Sequence, residues 1–351
     1  MEEIIRNILV IYTGGTIGML KDETTGALIP YNFDHLSKHI PELSLYPHNL
    51  NFYCFDPLID SSDMNPQFWK NLANVVEENY LKYDGFVILH GTDTMAYTAS
   101  VLSFMFKNLN KPVILTGSQL PMGILRTDGR ENFLTAIELA ALHDDKNRPV
   151  FSEVCVYFEN KLFRGNRITK FNSRDFNAFI SGNYPPLAEI GIDIDINYNF
   201  LRVCNEWQNK PLEVSYKLEE NIALLKLYPG ITQQVVHTIL NIKDLKGVII
   251  ETFGSGNAPS AQWFINELKA AIDKGILLYN VTQCKEGGVD SYKYQAGLQL
   301  ENIGIISGYD ITTESALAKM MYLLANLDNL DEIKKYLKIS LRGEMTTYKQ
   351  Y

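Results

Sequence analysis

Four short segments set hydroxyl, carboxylate or amine side chains beside turn residues. In Thr13-Gly14-Gly15-Thr16-Ile17-Gly18 the glycines allow close backbone approach and expose amides. A hydroxyl held there becomes a nucleophile if a base removes its proton. The same residues also make a tight turn whose threonines cap amides. The spacing does not fit the dinucleotide fingerprint and no Gly-Lys-Ser/Thr follows, which disfavours a phosphate loop. His90-Gly91-Thr92-Asp93-Thr94 offers a hydroxyl and a carboxylate beside helix-start amides, and Thr92 or Asp93 equally suits an N-cap. Asp60-Ser61-Ser62-Asp63-Met64-Asn65-Pro66 joins hydroxyls to a helix start, which favours an anion or simply caps the helix. Arg164-Gly165-Asn166-Arg167-Ile168-Thr169-Lys170 reads locally as a solvated basic loop. Burial near another cation would instead let the lysine lose its proton and serve as a base. His35 and His39 share a helical spacing, but no third ligand stands out, so no metal is expected. No Gly-x-Ser-x-Gly elbow occurs.

The elements that must position these side chains are strands that stop where the segments begin. An apolar run over 8–12 ends at Thr13-Gly14, and another over 86–89 ends at His90-Gly91. A helical pattern over 95–107 leads to a strand at 112–115 and a helix over 131–142. Strand, turn, helix, strand at this spacing predicts βαβ units and a parallel sheet, with functional loops at the carboxyl ends. The pattern breaks between about 184 and 214, then resumes with strands at 222–227, 248–250 and 276–281. Helices are expected from Thr232, over 261–273 and from Thr312. The expected class is α/β: a larger N-terminal doubly wound domain (1–190), an irregular linker (191–214) and a smaller C-terminal α/β domain (215–351).

Composition narrows the partners. Hydrophobic residues at 46% and charged ones at 21% exclude a disordered chain, and 351 residues suffice for two domains. Acidic residues outnumber basic ones, 41 to 32, for a net charge of -9, which counts against nucleic acid. Met1-Glu2-Glu3 lacks the basic start of a secretory signal, and no apolar run is long enough for a membrane span. Cys54, Cys155, Cys204 and Cys284 lie far apart, as reduced cytoplasmic thiols do.

Taken in order, TGGTIG, DSSDM, HGTDTMAYTA and RGNRITK closely resemble the bacterial-type L-asparaginases, most strongly their cytoplasmic type I branch. The similarity runs from Ile8 through GNAP at Asn257 to LRGE at Glu344. It implies hydrolysis of L-asparagine to L-aspartate and ammonia through a covalent acyl-enzyme, with Thr16 as nucleophile. Thr92, Asp93 and Lys170 match the second catalytic group, and Asp93 also matches a contact to the substrate ammonium. Asp60, Ser61 and Ser62 match the grip on its α-carboxylate. Gly15 adjoins the substrate, and Ser118 in TGSQLP sits where relatives contact the scissile amide. The resemblance implies no metal or organic cofactor, and a homodimer or homotetramer in which one subunit's C-terminal domain closes the other's site. Three rivals stand beside it: a glutaminase-asparaginase of mixed specificity, a tRNA-dependent amidotransferase subunit, and an inactive amino-acid-binding protein on the same fold. The position of Thr16 near the start and the acidic charge weigh against the second.

Two departures from the resemblance carry expectations. Where many relatives have a lid tyrosine that contacts the nucleophile, this chain has Leu28, and Tyr31 substitutes only after a shift of register. Some type I relatives also bind asparagine at a regulatory site and respond sigmoidally. Thr169, Asn257 and Cys284 match positions linked to that site, but Glu251 replaces an arginine. A glutamate repels the carboxylate that an arginine would clamp, so near-hyperbolic kinetics are expected, unless another cation such as Lys285 compensates.

Overall fold

The computed structural model describes residues 4–21, 28–30, 40–202, 210–290 and 295–346. The chain divides into two compact units, Met1–Ser181 with Pro185–Tyr216, and Gly182–Tyr184 with Lys217–Tyr351. His35, His39, Tyr31 and Cys204 lie outside the described residues.

The first unit is organised on an eight-stranded sheet. In chain order its strands are β1 (Asn7–Tyr12), β2 (Asn49–Cys54), β3 (Gly85–Leu89), β4 (Val113–Thr116), β5 (Val154–Phe158), β6 (Lys161–Arg164), β7 (Ala188–Ile190) and β8 (Ile194–Ile196). Their spatial order is β8-β7-β6-β5-β4-β3-β1-β2. The five strands from β5 to β2 in that order pair in parallel, and β6, β7 and β8 continue antiparallel. All five residues of β3 and of β5 are buried, because a parallel strand is covered on both faces and so reads as an unbroken apolar run. Helices α1 (Pro66–Asn79), α2 (Met95–Met105) and α3 (Gly129–Ala141) complete the pattern. Asn65 caps α1 through a bond from Phe68 N–H, and Pro66 takes the first helical position, where no amide is needed. From β1 the chain steps out to β2 on one side and then to β3 on the other. The order therefore reverses at β1, and the crevice between the carboxyl ends of β1 and β3 is where such sheets take ligands.

Two boundaries differ from the sequence expectation. The helix expected to reach residue 107 ends at Met105, because Phe106–Lys107 pairs antiparallel with Glu213–Val214. The stretch expected as a linker belongs instead to the first unit: β8 lies within 191–214 and extends the sheet edge. Short edge strands with alternating acidic residues carry too weak a periodicity to be read locally.

In the second unit, β9 (Ile222–Lys226), β10 (Gly247–Thr252), β11 (Leu277–Thr282) and β12 (Ile306–Ser307) form a parallel sheet in sequential order. Helices α4 (Gln233–Leu240), α5 (Gln262–Asp273), α6 (Gln295–Asn302), α7 (Thr313–Asn326) and α8 (Leu330–Leu337) accompany it. Neighbouring residues of β10 serve opposite cores. Val248 and Ile250 pack with Val236, Phe264 and Leu268, whereas Ile249 packs with Ala316, Met320 and Ile333. A fully buried ion pair ties the LRGE segment to α7: Lys319 Nζ lies 2.8 Å from Glu344 and also donates to Ile339 O at 2.6 Å.

Candidate active site

Three of the four segments meet at the carboxyl ends of β1 and β3. Thr13 N–H donates to Leu89 O at 3.1 Å and Ile59 N–H donates to Thr13 O at 2.9 Å, so the turn after β1 is stitched to its neighbours on both sides. Gly15, at φ +91°, is where the backbones come closest. A Cβ there would stand 2.6 Å from Gly91 Cα, and one on Gly91 would stand 2.5 Å from Ser61 Oγ. Contacts this close leave no room for any other residue at either position. They set Thr16 and Thr92, each the residue after one of these glycines, on adjoining turns. Thr16 opens the 3₁₀ turn Thr16–Gly18 and is half-buried, and its hydroxyl has no hydrogen-bond partner among the described residues.

Lys170 reaches this point from the fourth segment. It lies in the two-residue strand Thr169–Lys170, paired with Phe179–Ile180. Its amine donates to Thr92 Oγ1 at 2.8 Å and to Asp93 Oδ1 at 2.5 Å. The local reading of a solvated basic loop is overturned, because Arg164 and Arg167 are buried. Arg164 makes a two-pronged bond to the Glu153 carboxylate at 2.5 and 3.2 Å and also donates to Phe200 O. These contacts hold the end of β6, from which the chain runs on to the Thr169–Lys170 strand.

The N-cap expectation for Thr92 or Asp93 is also corrected. Helix α2 begins at Met95 and Thr94 occupies the cap position. Thr94 Oγ1 donates to Ser61 O at 2.6 Å, tying the helix start to the DSSDM turn. Thr92 and Asp93 are thereby left to Lys170. In that turn Asp60 accepts from Ser62 N–H and Ser62 Oγ, both at 2.8 Å, and these bonds hold its carboxyl below the usual range, the backbone one most. Asp60 is thus ionised and orients Ser62. Ser118, after β4, is buried, and its hydroxyl has no hydrogen-bond partner among the described residues.

Two supporting residues carried no assigned role in the sequence reading. Gln119 Oε1 lies 3.5 Å from Thr92 Oγ1, and its Nε2 donates to Asp175 O at 2.8 Å. Only its place at the carboxyl end of a strand could have marked it. His90 is fully buried beneath the turn. The Trp69 indole donates to Thr98 Oγ1, which leaves the Thr98 proton for His90 Nε2 at 2.9 Å and the Nδ1–H for Gly91 O at 2.6 Å. Burial pushes its pKa down to about 4, so the ring is neutral and acts as a fixed strut.

The residues expected at a regulatory site divide between the units. Thr169 adjoins Lys170 in the first, whereas Glu251, Asn257 and Cys284 gather at the carboxyl ends of β10 and β11 in the second. Phe253 and Asn257 exchange backbone bonds at 2.9 and 2.8 Å. Thr282 donates to Gly254 O at 2.5 Å and accepts from Cys284 N–H at 3.0 Å, joining the two turns. Glu251 is buried and engaged: Lys226 Nζ donates to it at 3.0 Å and Thr313 Oγ1 at 2.6 Å. Among the described residues no cluster of three or more His, Cys, Asp or Glu could hold a metal, and no helix is long and apolar enough to cross a membrane.

Comparison with known proteins follows the same division of the chain. Residues 7–202 match the family model "Asparaginase, N-terminal", and residues 221–337 match "Glutaminase/Asparaginase C-terminal domain". The chain is 42% identical to L-asparaginase 1 of Escherichia coli K12 over 349 residues, 97% of this chain and 98% of that one. It is 43% identical to a mouse (Mus musculus) protein named 60 kDa lysophospholipase over 97% of its own length, but spans only 63% of that relative. The crystal structure of L-asparaginase I from Vibrio cholerae superposes with a TM-score of 0.87 at 42% identity, covering 98% of this chain and 100% of that one.

Proposed function

This chain belongs to the asparaginase family, and we propose that it hydrolyses L-asparagine to L-aspartate and ammonia through an acyl-enzyme on Thr16. The observation that carries this reading is the placing of one amine, Lys170 Nζ, on both Thr92 and Asp93, next to the turn that presents Thr16. Thr16 Oγ attacks the side-chain amide carbon, and its proton passes to the leaving nitrogen as ammonia departs. Water then attacks the resulting ester, and Thr16 recovers its proton as aspartate is released. Backbone amides near Thr92 stabilise the oxyanion that forms in each half. Lys170, held against Asp93, donates to the Thr92 oxygen and so fixes which way the Thr92 proton points. Loss of a proton from Lys170 converts the same contact into a base that takes it. Asp93, two-thirds exposed at its side chain, is open to the substrate ammonium, and the DSSDM turn faces the carboxylate. Recognition of both backbone charges restricts the substrate to a free amino acid.

Glutamine is the nearest competitor, since one methylene discriminates by only about 10–200-fold in a pocket not shaped against it. We place the protein in the cytoplasm as a homodimer or homotetramer, on the relation to L-asparaginase 1. The test is ammonia release from asparagine and glutamine by the wild type and by Thr16→Ala. The variant should lose on the order of a thousandfold or more in rate with an unchanged melting temperature. Retention of a substantial fraction of the rate removes Thr16 as nucleophile.

A further inference from the structure

A concavity lies at the end of the parallel sheet opposite the candidate active site. Arg6, Asp84 and Lys111 stand just before β1, β3 and β4, at the amino ends of the strands whose carboxyl ends carry the candidate active site. They line a cavity of about 460 Å³, a volume typical of small-molecule sites. Its wall is a closed turn in which Val150 N–H donates to Leu142 O at 3.1 Å. Asp144 accepts from Lys146 N–H at 3.0 Å and Arg148 N–H at 2.9 Å. That turn carries His143 and Arg148 into the lining, and Arg202 adds a further guanidinium.

The charge of this cavity opposes that of the chain. Arg6, Lys111, Arg148 and Arg202 face only two lining carboxylates, Asp84 and Asp144, in a protein of net charge -9. Asp144 is committed to Arg148, whose guanidinium donates to it at 2.8 and 2.6 Å. Asp84 accepts from Asn7 N–H at 2.8 Å. Lys111 donates to Tyr80 O and Tyr83 O, both at 2.6 Å, and Arg6 donates to Asn147 Oδ1. Neutral acceptors hold these two cations in place, and the nearby Asp84 carboxylate offsets part of the Lys111 charge. His143 directs Nδ1–H to Ala141 O at 2.8 Å, and its Nε2 has no partner among the described residues. By count the lining therefore carries four cations against two carboxylates, with Arg6, Lys111 and Arg148 held in place and a polar ring edge beside them.

We propose that this cavity binds a small oxyanion, a phosphate ester or a dicarboxylate, whose organic body rests against Pro149, Val150 and the largely exposed ring of Tyr198. The strands between the two ends are four to six residues long, about 13–20 Å, so the ligand does not compete with substrate in the candidate active site. The test titrates inorganic phosphate, adenosine monophosphate and succinate into the protein by calorimetry, at an ionic strength fixed with sodium chloride. At least one probe should bind saturably. Binding should weaken about tenfold or more in Arg6→Gln and in Arg202→Gln, because each loses a charged hydrogen bond, and less in Arg6→Lys. Binding of phosphate and the monophosphate without succinate identifies a phosphate ester, and the reverse identifies a dicarboxylate. No saturable binding of any probe by the wild type overturns the proposal, as does equal binding by both glutamine variants. The wild-type arm decides the matter even if a variant fails to fold, and none of these readouts depends on asparagine turnover.

Discussion

Replacing Lys170 by Met separates stability from catalysis at the candidate site. The Lys170 side chain is 18% exposed, but its carboxylate partner Asp93 is 67% exposed. An ion pair with one member mostly in water contributes about 0.2–1 kcal/mol to folding, because solvent screens the attraction and two long side chains lose freedom. Losing the bond to Thr92 Oγ1, at 2.8 Å, adds a further contribution of about 1 kcal/mol. The variant should therefore unfold only a few degrees below the wild type. Its rate should fall far more. Removing a positioned acid-base group costs about 10²–10⁴-fold, equivalent to roughly 3–5 kcal/mol of transition-state stabilisation. Lys170→Arg tests the chemistry further, because a guanidinium keeps the charge but does not give up its proton at any working pH. It should restore the melting temperature and leave most of the rate missing. The assay is initial-rate ammonia release with asparagine, paired with thermal unfolding on the same samples. Either variant turning over within about tenfold of wild type, with KM unchanged, would refute the proton route through Lys170.

Three further outcomes follow from geometry. Asparagine kinetics should be near-hyperbolic, because Glu251 presents a carboxylate already held by Lys226 and Thr313; a Hill coefficient clearly above one, lowered by Asn257→Ala or Cys284→Ala, would restore a regulatory site. His90, with its pKa lowered from 6.5 to about 4, contributes stability that is complete above pH 6.5 and lost as pH falls toward 4, by about 3 kcal/mol; denaturant titrations across that window should show the loss, and a His90→Gln variant whose slope matches wild type would contradict it. Glu344→Gln should cost about 3–5 kcal/mol by stranding the buried Lys319 ammonium, whereas Lys319→Met with Glu344→Gln should cost less than the sum of the two single changes; thermal or urea unfolding of all three variants supplies the comparison, and additivity would show that the pair is not coupled.

Some of this protein was legible before any coordinate. The runs at 8–12 and 86–89 read as buried strands, because they are too short for a helix and stop at glycine turns. The α/β class and the strand-end turns were present in residue order, whereas the grouping of Thr16, Thr92, Asp93 and Lys170 came from the resemblance to a family and not from local pattern. What residue order could not decide was which local role each side chain would abandon. Thr92 and Asp93 are good caps in isolation, but Thr94 takes the cap position because its hydroxyl reaches Ser61 O, a partner 33 positions away. The basic stretch from Arg164 looks solvated until Glu153, just before the neighbouring strand, supplies the counter-charge that lets it be buried. Residues 191–214 look irregular because their strands are short: β8 pairs with β7 at the sheet edge, and Glu213–Val214 takes its partner from Phe106–Lys107, far back along the chain. Local pattern follows from backbone geometry and burial period, both properties of neighbouring residues. Pairing, counter-charge and the meeting of Gly15 with Gly91 depend on groups that are distant in sequence, and only the packed tertiary structure brings them together.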